Sequence, residues 1–146
     1  MSIEDDVALL ERVPTLRLLG DTALRMLAIG SEQRDFARGD LLFNAGDDAD
    51  AGYIVQRGAF RVEDGGAEII AGPGALIGEL ALIVAMRRPS SAIAIEHSTV
   101  IRVARSLFQR VLESDPAAAR RLRDELATRT SQLASDILMA GAKLSI

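Results

Sequence analysis

The sequence predicts an α+β fold in which helical segments at both ends of the chain enclose an antiparallel β-sandwich or barrel. Apolar residues recur at helical spacing over residues 3–29 and again after residue 105, whereas residues 33–103 consist of short apolar runs separated by glycine-rich turns. With 146 residues, 49% of them hydrophobic, the chain has the size of one domain and enough apolar surface for a core. Only 3% of the residues are aromatic, so that core must be aliphatic.

The N-terminal segment, from Ile3 to Ile29, is predicted to be helical. Its apolar positions are Leu9, Leu10, Val13, Leu16 and Leu19. Pro14 should break the first helix or start a new one, because proline lacks a backbone N–H. Asp21 is a suitable N-cap for a second helix, and Gly30 is placed to end it.

The central segment is predicted to form strands joined by tight turns. The seven candidate strands are Arg34–Phe36, Leu41–Asn44, Gly52–Gln56, Ala59–Glu63, Glu68–Ala71, Ala92–Ile95 and Thr99–Val103. The sequence Asp64-Gly65-Gly66 between two of these runs predicts a tight hairpin. Many short strands with regular turns are typical of antiparallel sheets.

The C-terminal segment is predicted to be helical again. Ser106 is a candidate cap for a short helix through Leu112, and Pro116 suits the first turn of a longer helix. An apolar stripe at spacings of 3, 4, 4, 3 and 4 runs along this longer helix through Ala119, Leu122, Leu126, Thr130, Leu133 and Ile137. Two interpretations stay open: a helix packed against its own domain, or a dimer helix, with or without a role as a lid.

The stretch from Gly78 to Ala92 combines the residue types that a small phosphorylated ligand requires. Gly78 opens a short helix, Glu79 follows it directly, and Arg88 stands ten positions after the glycine. A glycine allows close approach of the backbone, a carboxylate accepts hydrogen bonds from hydroxyls, and a planar guanidinium suits a phosphate. These residues indicate a site for one small molecule that carries both a hydroxyl and a phosphate.

The chain resembles the cyclic nucleotide-binding domain family in residues 36–47, 53–58, 72–74 and 78–92, of which the last matches the family's phosphate-binding cassette. The resemblance covers nearly the whole chain. It implies an antiparallel β-barrel, double-stranded jelly-roll-like, flanked by N-terminal helices and a long C-terminal helix. One domain over residues 1–146 is then expected, with N-terminal helices in 1–32, the barrel in 33–104, the cassette in 78–92 and C-terminal helices in 105–146.

The resemblance also implies roles for cassette residues. Arg88 would neutralise the cyclic phosphate, Glu79 would accept the ribose 2′-hydroxyl proton, and backbone N–H groups near Leu80 and Ala81 would face the anion. The expected ligand-binding residues are Gly78, Glu79, Leu80, Ala81, Arg88, Pro89, Ser90 and Ser91. Either serine could donate to the phosphate or the purine, and the apolar side of the pocket is expected to be formed by Leu82, Ile83, Val84 and Ile70.

The cassette departs from the family pattern at one point. Arg87 replaces the common proline before the arginine, and Pro89 follows it. The sequence therefore leaves open whether Arg87 or Arg88 contacts the phosphate, and spacing favours Arg88.

Composition excludes several other kinds of site. The chain has no cysteine, so disulfides, iron–sulfur clusters and thiolate zinc sites are excluded. His97, the only histidine, lies in a turn between strands, where a surface residue is expected rather than a haem ligand. No nucleophile–base set can be assembled, so we expect no catalysis, no metal and no cofactor beyond the ligand, cAMP or cGMP.

Charge and hydropathy set the expected surroundings and partners. The acidic N-terminus and the absence of an apolar run of roughly 20 residues predict a soluble, cytoplasmic protein without membrane contact. The net charge of −4, and the +2 of residues 105–146 (seven Lys or Arg, five Asp or Glu), argue against direct DNA binding.

The function predicted from the sequence is a cyclic nucleotide receptor that signals to a partner protein, or to a second copy, through rearrangement of its C-terminal helix. The alternatives are a truncated or partner-dependent transcription regulator, since no helix-turn-helix follows residue 141, and a non-binding assembly domain with a vestigial cassette. The start at Met1 favours a complete protein over an excised domain.

Overall fold

Five helices flank the strands in the part of the chain that the structure describes. The computed structural model describes residues 2–64 and 66–128. The helices are α1 (Ile3–Glu11), α2 (Pro14–Arg17), α3 (Asp21–Gly30), α4 (Arg105–Ser114) and α5, whose described part is residues 116–128. A 3₁₀ helix, Glu79–Leu82, interrupts the strand region. Within the described residues, none of the helices has the length and apolar character that crossing a membrane requires.

The helix starts confirm one prediction and correct two. Pro14 occupies the first position of α2, where its missing N–H costs nothing. Asp21 is not an N-cap: Gly20, at φ 87°, holds that position, and Asp21 is the first helical residue and accepts a 3.0 Å hydrogen bond from Arg25 Nε. Ser106 does not cap α4 either, because that helix already begins at Arg105.

Among the described residues, ten antiparallel strands form two four-stranded sheets and a two-stranded ribbon. They are β1 (Glu32–Phe36), β2 (Leu41–Phe43), β3 (Asp48–Ala49), β4 (Ala51–Arg57), β5 (Phe60–Asp64), β6 (Ala67–Ala71), β7 (Leu76–Ile77), β8 (Met86–Arg87), β9 (Ala92–Ala94) and β10 (Ser98–Ala104). The first sheet has the order β1-β10-β4-β7, the second has the order β2-β9-β5-β6, and β3 pairs with β8 in the ribbon.

The predicted α+β class with antiparallel sheets is confirmed. All seven predicted strands are present to within a few residues, and Asp64 pairs with Ala67 across the predicted hairpin. The barrel is formed by two separately hydrogen-bonded sheets facing each other, rather than by one closed sheet. Strands β3, β7 and β8, of two residues each, were not predicted.

Two apolar cores lie on opposite sides of the first sheet. The inner core, between the two sheets, contains Tyr53, Val55, Phe60 and Val100 among others. The outer core, between the first sheet and the helices, contains Ile54, Ile101 and Val103 together with leucines of α1, α2 and α3. Because successive residues of a strand point to opposite faces, β4 and β10 contribute to both cores.

The described part of α5 packs against its own domain. Of the predicted stripe, Leu122 is 3% exposed within the outer core, Leu126 packs against that core and Ala119 is half-buried, while the neighbouring Ala118 is fully buried. The remaining stripe positions Thr130, Leu133 and Ile137 lie outside the described residues.

Candidate functional site

A cavity of about 220 Å³ lies where the 3₁₀ helix meets the second sheet. Its lining brings together seven of the eight predicted site residues: Gly78, Glu79, Leu80, Ala81, Arg88, Pro89 and Ser90. The eighth, Ser91, is not part of the lining, and its Oγ accepts a 2.8 Å hydrogen bond from the Ala45 N–H.

Gly78 sets the backbone at the floor of this cavity. It adopts a left-handed conformation with φ 79° and is the N-cap of the 3₁₀ helix. A Cβ at this position would lie 2.5 Å from Arg88 Nη1, so the absence of a side chain is what lets the guanidinium lie against the backbone. The Ala81 N–H donates to the Gly78 carbonyl at 3.1 Å, within the first turn of the 3₁₀ helix.

The Arg88 side chain is buried with part of its hydrogen-bonding capacity unused. It is 5% exposed, Nη2 donates to the Ala51 carbonyl at 2.8 Å, and the buried Nε has no hydrogen-bond partner. None of the ion pairs formed within residues 2–64 and 66–128 involves Arg88. Burial lowers the pKa of this guanidinium, because the low-dielectric surroundings disfavour its charge.

Two aromatic rings and one turn hold Arg88 in place. Its Cζ lies 4.2 Å from the ring centroid of Phe43 and 5.5 Å from that of Tyr53. The Arg88 N–H donates to the Asp47 carbonyl at 2.7 Å, and the Arg88 carbonyl accepts from the Gly46 N–H at 2.8 Å. The cation–π contacts offset part of the cost of burying the charge, and the main-chain bonds fix where the side chain starts.

Arg87 is oriented differently from its neighbour. It is exposed, and its Nη1 donates to the Gly46 carbonyl at 3.2 Å on the surface of the ribbon. Of the two arginines that the sequence left open, only Arg88 lines the cavity.

Glu79 lines the same cavity from the first turn of the 3₁₀ helix. Its Oε1 accepts a 2.6 Å hydrogen bond from Thr15 Oγ1, and Thr15 is 4% exposed in α2. Glu79, whose carboxylate is bound from the N-terminal helices, and the buried Arg88 therefore belong to one cavity lining.

The apolar lining differs from the expected set. Leu82 and Ile83 instead border a separate cavity of about 410 Å³ between the 3₁₀ helix, α4 and α5. Val84 and Ile70 are 43% and 57% exposed. The apolar lining residues that the sequence did not identify are Phe43, Val62, Ile77 and Met86. Alternation of apolar and polar residues along β5 is the signal that marks Val62 as inward-facing.

Other kinds of site find no support in the described part of the chain. Residues 2–64 and 66–128 contain no group of three or more His, Cys, Asp or Glu side chains that could hold a metal ion. His97 is exposed in the turn before β10.

Comparison with known proteins identifies relatives of the whole fold. The family model described as "Cyclic nucleotide-binding domain" matches residues 33–115. An uncharacterized NTE family protein of Mycobacterium tuberculosis strain H37Rv is 32% identical over 133 residues, which are 84% of this chain and 23% of that protein. The chain thus spans less than a quarter of this curated relative.

Two solved structures are also similar. The N-terminal domain of a transcriptional regulator from Streptomyces coelicolor A3(2) superposes with a TM-score of 0.80 at 27% identity, covering 88% of this chain and 94% of that one. A cyclic nucleotide-binding-like protein from Brucella abortus bv. 1 str. 9-941 has a TM-score of 0.66 at 36% identity, covering 75% of this chain and 98% of that one.

Proposed function

Because this chain belongs to the cyclic nucleotide-binding domain family, we propose that it is a receptor for cAMP or cGMP that binds the nucleotide in the cavity around Arg88. The receptor acts as one domain over residues 1–146 and performs no catalysis. Its ligand serves as a signal in the cytoplasm and is not consumed.

The observation that carries this proposal is the buried guanidinium of Arg88. A charged group taken out of water costs several kcal/mol unless it is paired. Arg88 is 5% exposed, its Nε has no partner, and no ion pair among the described residues involves it. A cyclic phosphate supplies the missing negative charge and accepts hydrogen bonds from two adjacent guanidinium nitrogens.

The remaining cavity residues take up the rest of the ligand. Gly78 lets the phosphate lie close to the backbone, and the Glu79 carboxylate accepts a hydrogen bond from the ribose 2′-hydroxyl. Ser90 donates to the phosphate or the purine. A cavity of about 220 Å³ is smaller than the roughly 300–1,000 Å³ typical of ligand sites, so the base extends past Leu80 and Pro89 at the rim.

Signalling follows if the ligand binds one arrangement of the C-terminal helix better than another. Helix α5 contributes Leu122 to the outer core, and its Leu126 packs against that core. A partner protein, or a second copy of this chain, reads the arrangement.

Titration calorimetry with cAMP, cGMP and 5′-AMP tests the proposal. Micromolar or tighter binding of either cyclic nucleotide, with at least tenfold weaker binding of 5′-AMP, is the expected result. The 5′-AMP control keeps the base and ribose and lacks the cyclic diester. Absence of heat and of thermal stabilisation with both cyclic nucleotides would refute the proposal.

A second candidate function is the sensor part of a transcription regulator, favoured by the similarity to the N-terminal domain of such a regulator from Streptomyces coelicolor. In that case the response requires a DNA-binding unit outside residues 2–128. A gel-shift assay at low salt with ligand present tests direct DNA binding: a shift by this chain alone supports the regulator, and no shift removes direct binding by this chain.

A further inference from the structure

The carboxylate of Glu79 is held from a distant part of the chain. Thr15 Oγ1 donates a 2.6 Å hydrogen bond to Glu79 Oε1, across a separation of 64 residues. Thr15 is 4% exposed, and it lies in the first turn of α2, directly after Pro14. The neighbouring Leu16 is fully buried in the outer core, so the position of α2 is fixed by packing.

This bond restricts the orientation of the Glu79 side chain. A glutamate has three rotatable side-chain bonds, and fixing a long polar side chain costs entropy. With Oε1 bound to Thr15, the carboxylate is held in one orientation before any ligand arrives. Preorganised acceptors bind more tightly, because the ordering cost is not incurred during binding.

The threonine does not compete with the ligand. An ionised carboxylate offers about four acceptor positions on its two oxygens, and Thr15 occupies one of them. One bond from Thr15 is therefore compatible with a further bond from a sugar hydroxyl to the same carboxylate.

We propose that Thr15 is a positioning residue that sets the preference of the site for ribose over deoxyribose, by holding the Glu79 carboxylate toward the sugar 2′-hydroxyl. This inference rests on the proposed cyclic nucleotide receptor. It assigns to the N-terminal helices a part in ligand selectivity, although no residue of α1, α2 or α3 lines the cavity.

The test compares cAMP with 2′-deoxy-cAMP by titration calorimetry in the Thr15→Val and Thr15→Ser variants. Thr15→Val should lower affinity for cAMP by about threefold to tenfold and leave affinity for 2′-deoxy-cAMP within twofold of wild type. Thr15→Ser restores the hydroxyl and should restore the preference. Thr15→Ala, a second way to remove the hydroxyl, should reproduce the valine pattern.

Thr99 provides a matched control elsewhere in the molecule. It is also a buried threonine, 6% exposed, whose Oγ1 donates a 2.8 Å hydrogen bond to a carboxylate, that of Asp35, outside the cavity. Thr99→Val removes a bond of the same kind and should leave both affinities unchanged.

The outcomes separate the two proposals. If the wild-type chain binds cAMP, but Thr15→Val loses affinity equally for both nucleotides or for neither of them, the role of Thr15 is overturned and the receptor proposal stands. A gain in cAMP affinity also overturns it, because it would make Thr15 a competitor. If the wild-type chain binds cGMP and not cAMP, the same comparison uses cGMP and 2′-deoxy-cGMP. Failure of the wild-type chain to bind both cAMP and cGMP overturns the receptor proposal together with this one.

Discussion

Replacing Arg88 by methionine should separate ligand binding from structural support at this position. Methionine keeps an unbranched apolar stem that can lie against the Phe43 ring, and it removes the charge and the hydrogen-bond donors. The variant therefore loses what a phosphate would bind and keeps much of what the protein packs against.

The expected loss of affinity follows from the charge-assisted bonds. A hydrogen bond to a charged group contributes about 1.5–3 kcal/mol, which corresponds to roughly tenfold to more than a hundredfold weaker binding. The ligand-free protein should respond differently. It loses the bond to the Ala51 carbonyl and the cation–π contacts, but it no longer buries a charge that lacks an ion-pair partner among the described residues. These effects oppose each other, so its unfolding free energy should stay within about 1 kcal/mol of wild type.

Two measurements on the same preparations decide the matter: titration calorimetry with cAMP, and urea unfolding with and without cAMP. At a ligand concentration of 100 times its Kd, wild type should gain about 2.7 kcal/mol from binding, and Arg88→Met at that same concentration should gain less than half of this. Arg87→Met is the matched control, since Arg87 is exposed and does not line the cavity. Binding of cAMP by Arg88→Met within threefold of wild type would refute the reasoning.

Four further substitutions, with Gly39→Ala as a control, test the cavity and the packing of the fold. Gly78→Ala and Gly39→Ala both place a side chain at positive φ, 79° and 92°, and each should cost about 1–2 kcal/mol of unfolding free energy in urea. Only Gly78→Ala should also weaken nucleotide binding, because only its Cβ meets the guanidinium; equal binding by both variants would contradict this. Glu79→Ala should lower cAMP affinity by about threefold to tenfold, less than Arg88→Met does, and a larger loss in calorimetry would reverse that ranking. Arg105→Met should lower the unfolding free energy by about 1.5–3 kcal/mol, because its Nη1 lies within hydrogen-bond distance of the carbonyls of Ala49, Ala81 and Val84; an unchanged urea midpoint would show that these contacts contribute nothing.

The larger elements could be predicted from the sequence because their signals extend over many residues. The apolar spacing before Gly20 and the turn at Gly66 identify helices and a hairpin from local chemistry alone. Strands β3, β7 and β8 could not be predicted, because two residues are too few to show alternation. Each is recognisable as a strand only from its hydrogen-bonded pairing with another strand. Asp21 was misassigned because a glycine at positive φ served as the cap one position earlier.

Part of the candidate site could also be predicted from local sequence, and part depends on the tertiary fold. Gly78, Glu79 and Arg88 lie within eleven residues of one another, so their grouping could be predicted from a contiguous motif. Phe43 and Thr15 reach the site only through the tertiary fold, and no local pattern indicates them. For the two adjacent arginines the sequence offers spacing alone, which favours Arg88, and the structure adds that Arg88 is buried in the cavity whereas Arg87 is exposed.

Strands β4 and β10 contribute side chains to both cores, and this couples the unfolding of the helices to the unfolding of the sheets. Detaching the helices would expose the outer-core face of each of these strands to water, and separating the sheets would expose the inner-core face. Neither layer can therefore melt without weakening the other, and the domain should lose its structure in a single cooperative step. The amide protons of Ile54, Val55, Val100 and Ile101 should then be among the last to exchange with deuterated solvent, and only through global opening.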